Sequence, residues 1–275
     1  MLTPWLDLPG ARDRLTTWSG LTGLDLVSLG TVAPADVVRR TDVAQPLLTA
    51  VALLSGRALL AGGHPDLVCG HSVGELSAIA LAGVITDDEA VVLAAGRGSA
   101  MAEAASQAPT GMVATLGGVV DDDTARAAGL QIATVNAPGQ VVLGGPIAAL
   151  ETFVPPAGTR LRRLDVAGAF HTAAMAPARE RFAGLVARLT PADPVCGVVA
   201  NADGAVLHDG QQLLNRLVAQ LTGPVRFDLC LRAVSGATRA VELAPGGTLK
   251  ALVRRVRPDL PVTALSQPDD LLVSA

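Results

Sequence analysis

The chain has 275 residues, half of them hydrophobic, enough to bury a full core as one large domain or two unequal ones. Its 21 basic and 25 acidic residues give a formal net charge of −4, a balance that excludes a disordered chain and a broad nucleic-acid footprint. Three widely separated cysteines, Cys69, Cys196 and Cys230, form no C-x-x-C pair, which excludes a disulfide framework and points to a reducing, cytoplasmic compartment.

The opening MLTPWLDLPGARDR lacks the basic and apolar regions of a signal peptide, and residues 1 to 45 read as short helical pieces. Gln45-Pro46 opens a longer, mostly buried helix, PLLTAVALLSGRALLAG, that should stop at Gly62-Gly63. No apolar stretch is long and uninterrupted enough for a credible membrane span. A short strand over 66–69 then runs into Gly70-His71-Ser72-Val73-Gly74-Glu75, followed by an alanine-rich helix to about residue 82. Asp87, Asp88 and Glu89 lead into another strong helix. From 111 the pattern changes: MVATLGG is a strand, DDTARAAG a helix, QIATVNA and QVVLGG two strands joined at Pro138-Gly139, AALETF a helix and TRLRRLDVA a strand. This β-α-β-β-α-β order is the ferredoxin-like signature. Beyond it, a loop feeds a long helix within AGAFHTAAMAPARERFAGLVARL. GVVAN is a strand, LLNRLVAQL a helix, 228–234 helical, TRAVELA a strand and GTLKALVRRV a helix. Strands alternating with helices imply a parallel α/β unit. The expected division is a large α/β subdomain over 1–108 and 169–275 and an inserted small subdomain over 109–168.

Gly70 to Gly74 carry the G-x-S-x-G pattern of a nucleophile elbow. A strand, a sharp turn and a helix expose a serine hydroxyl and aim backbone N–H groups at a developing oxyanion. Ser72 is therefore the candidate nucleophile; a glycine-flanked turn serine is the plainer reading. Among four histidines, His171 is the best base, because it lies where the insert rejoins the larger unit and a cleft would form. The plainer reading is a structural histidine at a helix N-terminus. No carboxylate between Ser72 and His171 is convincing as a triad member: Asp122, Asp123 and Glu151 belong to the insert. This favours a dyad. Arg97, between Gly96 and Gly98, follows the apolar run 90–95. A buried arginine needs an anionic partner, either an internal carboxylate or one carried by a substrate.

These segments together resemble bacterial malonyl-CoA:acyl carrier protein transacylases, especially the actinobacterial branch. The likeness covers TDVAQPLL at 41–48, GHSVGE at 70–75, RGSAM at 97–101, NAPGQVVLGG at 136–145, GAFHTAAM at 168–175, LVAQLTGPVRF at 217–227 and ELAPGGTLKALVRR at 242–255. It implies an acyltransferase fold, α/β, with a large parallel-sheet hydrolase-like subdomain and an inserted ferredoxin-like one. It also implies that Ser72 takes malonyl from malonyl-CoA, with His171 as base and the backbone carbonyl of Gln220 orienting that histidine. The Val73 amide would donate to the oxyanion and Arg97 would pair with the malonyl carboxylate. Phe170, Met101 and Asn136 would help bind substrate, with Val73 and Phe170 on the malonyl-selective side. The malonyl group would pass to the phosphopantetheine thiol of holo acyl carrier protein in fatty-acid biosynthesis, by ping-pong chemistry.

Relatives begin with a strand and a PGQGSQ-like loop that supplies a second oxyanion N–H, whereas this sequence opens just after that point. The expectation is that the first family strand is missing. No metal site and no cofactor are expected, coenzyme A being the substrate's carrier, and a monomer that binds neither nucleic acid nor membrane is anticipated. The same residues leave open a polyketide or malonate-pathway acyltransferase, a serine thioesterase or esterase, and a truncated carrier-protein-binding module without turnover.

Overall fold

The computed structural model describes residues 1–61 and 63–273. The chain up to Leu60 is helical: α1 (Ala11–Thr22), α2 (Leu26–Thr31), α3 (Ala35–Arg39) and the long α4 (Thr41–Leu60). Helix α4 starts earlier than Gln45-Pro46, so Pro46 lies inside its second turn. So near the N-terminus, the missing proline N–H removes a single bond, the one to the Asp42 carbonyl, and the helix persists. Its C-cap, Ala61, is in the left-handed region; Gly62 lies outside the described residues. By length and composition α4 could cross a membrane, but 61% of its most apolar stretch is buried in the protein, where Leu47, Ala50, Val51 and Leu53 form the centre of the main core.

Strand β1 (Leu67–Cys69), α5 (Gly74–Leu81) and α6 (Asp87–Ser106) follow. The N-terminus of α6 is closed by a capping box in which Thr86 and Glu89 satisfy each other's backbone N–H groups. A Cβ on Gly98 would lie 2.6 Å from the Thr41 carbonyl oxygen, so this glycine lets α6 press against the start of α4. That close approach brings Gln45 beside Arg97.

The next segment contains β2 (Thr110–Leu116), α7 (Asp122–Ala127), β3 (Gln131–Ala137), β4 (Gln140–Pro146), α8 (Ile147–Thr152) and β5 (Arg160–Arg163). The sheet order β5-β2-β4-β3 is antiparallel throughout, the 4-1-3-2 arrangement of the ferredoxin-like fold. Side chains alternate across it. Val113, Val141 and Leu143 pack under α7 and α8. Met112, Ala114 and Val142 face the other way, against Phe170. Strand β5 is shorter than expected and exposed along its length, as suits an edge strand.

The remaining elements are α9 (Ala176–Val186), β6 (Gly197–Val199), β7 (Val206–Leu207), α10 (Gly210–Ala219), β8 (Val225–Arg226), α11 (Phe227–Ala233), β9 (Ala240–Glu242), α12 (Thr248–Val256) and β10 (Val262–Ala264). The parallel sheet of the larger part comes as two hydrogen-bonded pieces, β1-β6-β7 and β9-β10. Strands β1 and β6 are parallel, as are β9 and β10. Strand β7 runs antiparallel, because a tight turn closed by Ala200 and Ala205 joins it to β6 with no crossover helix. Strand β8 pairs parallel with β3 and so ties the chain after α10 to the small sheet.

Candidate active site

The elbow is built from steric necessity. A Cβ on Gly70 would lie 2.1 Å from the Gly74 carbonyl group, so only hydrogen fits there. A Cβ on Gly74 would meet open space. Ser72 sits at φ +54, in the left-handed region that a non-glycine residue occupies only when its surroundings hold it there. The holder is Asn201, just past β6. Its Oδ1 accepts from the Ser72 N–H at 2.8 Å and its Nδ2 donates to the Gly70 carbonyl at 2.6 Å. Past the serine, Gly74 and Glu75 N–H groups bond back to the His71 and Ser72 carbonyls. The Val73 N–H has no partner among the described residues, which leaves one donor open beside the nucleophile.

His171 lies on the return from the small sheet, at φ +60 and 5% exposed. Its Nε2 is 2.7 Å from Ser72 Oγ, and its Nδ1 is 2.9 Å from the Gln220 carbonyl oxygen. A carbonyl only accepts, so Nδ1 carries the proton and Nε2 presents its lone pair to the serine hydroxyl. Burial, reinforced by the nearby Arg97 charge, pushes the histidine down to about 3, so it stays neutral and able to take a proton. No side-chain acid is needed in this arrangement.

Arg97, midway along α6, is 1% exposed. Its Nη1 donates to Gln45 Oε1 at 2.6 Å, and its Nη2 donates to Gln220 Oε1 at 2.7 Å and to Ser72 Oγ at 3.3 Å. All three acceptors are neutral, and no carboxylate forms an ion pair with it among the described residues. Its Nε is buried with no acceptor. Burial lowers the guanidinium to about 10, partly offset by the field of Glu75. The group stays charged at neutral pH, with Nη2 beside Ser72 and Nε left without an acceptor.

Phe170 packs between the main core and the bare face of the small sheet, next to His171. Asn136, at the end of β3, accepts from His71 Nε2 at 2.8 Å, so His71 points away from the serine. Met101 lies one turn beyond Arg97, buried, with its sulfur 3.4 Å from Gln45 Nε2. Three side chains that sequence reasoning did not single out complete the centre: Gln45, Glu75 and Asn201. Glu75 is 4% exposed and accepts from the Asn201 N–H at 2.6 Å and from Gln220 Nε2 at 2.5 Å. Its one signal in the sequence is a charge on an otherwise apolar helix, immediately after the elbow. Among the described residues, no cluster of three or more His, Cys, Asp or Glu could hold a metal ion.

Fold and site together define a serine–histidine acyl-transfer centre with a buried arginine beside the nucleophile. The acyl transferase domain family matches residues 17–264. A malonyl CoA-acyl carrier protein transacylase from Mycolicibacterium smegmatis is 44% identical over 98% of both chains. The crystal structure of the enzyme from Mycobacterium tuberculosis superposes with a TM-score of 0.94 at 44% identity, covering 100% of this chain and 94% of that one. A malonyl-transacylase solved in complex with a type II polyketide acyl-carrier protein gives 0.91 at 29% identity, covering 100% of this chain and 94% of that one. The chain belongs to the malonyl CoA-acyl carrier protein transacylases of the acyl transferase domain family.

Proposed function

We propose that this protein transfers malonyl from malonyl-CoA to the phosphopantetheine thiol of holo acyl carrier protein, as an acyl-carrier-protein S-malonyltransferase of fatty-acid biosynthesis. The observation that carries this reading is Arg97: a buried guanidinium without an ion-pair partner among the described residues, with a free Nε, whose Nη2 lies 3.3 Å from Ser72 Oγ. A charge so placed awaits an anion on the acyl group. It would disfavour a neutral ester or acyl thioester, which brings nothing to offset its desolvation.

In this mechanism Ser72 Oγ attacks the thioester carbonyl while its proton moves to His171 Nε2. The Val73 N–H donates to the oxyanion, and the Gln220 carbonyl holds the imidazolium by its Nδ1 proton. Collapse breaks the C–S bond, and the coenzyme A thiolate takes the proton from His171. Malonyl-Ser72 remains, its free carboxylate on Arg97. The carrier thiol then gives its proton to His171 and attacks the same carbonyl; malonyl-carrier leaves and Ser72 regains the proton. Phe170, against the acyl α-carbon, would exclude a methyl branch, a discrimination of about 1–3 kcal/mol. Asn136 and Met101 would act at the edge of the acyl pocket, Met101 by backing Gln45.

The boundaries near 108 and 168 belong to this proposal, with the cleft between the two parts admitting the carrier. So does a cytoplasmic monomer free of nucleic acid and membrane, in keeping with the net charge of −4 and three unpaired thiols. The test is incubation with radiolabelled malonyl-CoA and holo acyl carrier protein, with Ser72→Ala as control. Label on the carrier that depends on Ser72 is expected. Hydrolysis of neutral p-nitrophenyl esters without any transfer to the carrier would instead show an esterase.

A further inference from the structure

Glu75 lies at the heart of the site, yet the reaction above does not use it. Its carboxylate could simply cap its own helix, since it stands in the first turn of α5. Its bonds go elsewhere. Both reach residues more than 120 positions along the chain, the Asn201 N–H and the Gln220 side-chain amide. Burial raises Glu75 to about 7, so the placement works against the charged form and the fold tolerates it.

What the carboxylate does to Gln220 follows from donor and acceptor chemistry. Each Glu75 oxygen accepts from an N–H, Oε1 from Asn201 and Oε2 from Gln220, whereas a glutamine amide has one donating end and one accepting end. Glu75 therefore admits the NH2 end, which also lies 3.1 Å from Asn201 Oδ1 and 3.3 Å from the Ser72 carbonyl. The amide oxygen is then left facing Arg97 Nη2, at 2.7 Å. The reversed amide would set donors against the guanidinium and an oxygen against a carboxylate. The backbone carbonyl of this same Gln220 accepts from His171 Nδ1. One residue thus holds both the base and the arginine, and one carboxylate fixes that residue's orientation.

We propose that Glu75 is a positioning residue: by gripping the Gln220 amide it places the Arg97 guanidinium and the carbonyl that aims His171. Using malonyl as the reporter rests on the function proposed above.

Glu75→Gln keeps the size but leaves a single acceptor oxygen for two donors, so one of the two grips is lost. Two readings are taken per folded protein. The first is kcat and KM for malonyl-CoA and for acetyl-CoA with holo acyl carrier protein. The second is the rate at which a neutral fluorophosphonate labels Ser72, which needs His171 but not malonyl. Glu75→Gln should lower the malonyl-over-acetyl preference at least tenfold, chiefly through the malonyl KM, and slow labelling at least tenfold. Gln220→Met, which deletes the amide but keeps the backbone carbonyl, should reproduce the lost preference; combined with Glu75→Gln it should add nothing further to that loss. If Glu75→Gln does not fold, Gln220→Met alone decides. Preference and labelling rate within twofold of wild type, whatever happens to Tm, would overturn the proposal, as would additive losses in the double variant. A wild-type protein that takes no malonyl would sink the proposed function instead, and the labelling rates would still judge Glu75.

Discussion

Replacing Arg97 with alanine removes the guanidinium that reaches Ser72, and two consequences can be separated. For stability, the Gln45 and Gln220 amide oxygens each lose a donor in a buried place, costing about 1–3 kcal/mol apiece. Against this, folding no longer has to strip water from a guanidinium that is 1% exposed, a penalty of several kcal/mol that the field of Glu75 offsets only in part. The opposing effects are of similar size, so Tm should move only a few degrees. For the substrate nothing compensates. A malonyl carboxylate left buried without its partner costs about 2–5 kcal/mol, or roughly 30-fold to several-thousand-fold in kcat/KM. An acetyl group carries no such charge, so acetyl-CoA should be used as well as before or better. Arg97→Lys should recover only part of the loss, since an ammonium lacks the planar fork. The assay is kcat/KM for both thioesters with holo acyl carrier protein. A malonyl/acetyl ratio within threefold of wild type would refute the assignment of Arg97.

The two elbow glycines should behave differently. Gly70→Ala forces a Cβ into the Gly74 carbonyl and should cost more than about 3 kcal/mol by denaturant unfolding, while Gly74→Ala, facing open space, should fold with near-wild-type stability. Asn201→Ala removes the strap on a left-handed Ser72 and should lose about 2–4 kcal/mol together with most of kcat; normal kcat would show that the elbow holds itself. Stability should respond to pH through two buried groups of opposite sign. His171 falls from 6.5 in the unfolded chain to about 3, so its contribution is full above 6.5 and is lost as pH drops towards 3. Glu75 rises from 4.5 to about 7, so its contribution is full below 4.5 and is lost as pH climbs towards 7. Between 4.5 and 6.5 the two slopes oppose each other. Glu75→Gln should expose the histidine slope, a stability rising by about 1.4 kcal/mol per pH unit relative to wild type; parallel curves for the two proteins would contradict it.

Local chemistry made Ser72, His171 and Arg97, which the structure brings together, stand out in the sequence. Ser72 stands in a strand–turn–helix setting, His171 at the seam after the insert, and Arg97 in an apolar helical run. Each is marked by its neighbours within a few residues. The ferredoxin-like order was legible for the same reason, since β2 to β5 alternate and turn in sequence. Strands β7, β8 and β10 escaped because runs of two or three residues carry no measurable period, and β8 belongs to the small sheet only through its distant pairing with β3. The Gln220 carbonyl could not be read from residue type, because every residue has one; family resemblance alone pointed to it. Glu75 and Asn201 were hidden more deeply. Their bonds to each other, to the elbow and from Glu75 to Gln220 span more than 120 residues, and their roles exist only once β6 and α10 have been brought against the elbow.

In the proposed reaction Ser72 carries the malonyl group between two thiols. The direct measurement is to mix the protein with malonyl-CoA, quench, remove free nucleotide and map the adduct by peptide mass, then chase the isolated adduct with holo acyl carrier protein. Malonyl on the Ser72 peptide alone, discharged onto the carrier thiol in proportion to its loss from the protein, is the predicted result. An adduct elsewhere, or one that leaves only as free malonate, would contradict it.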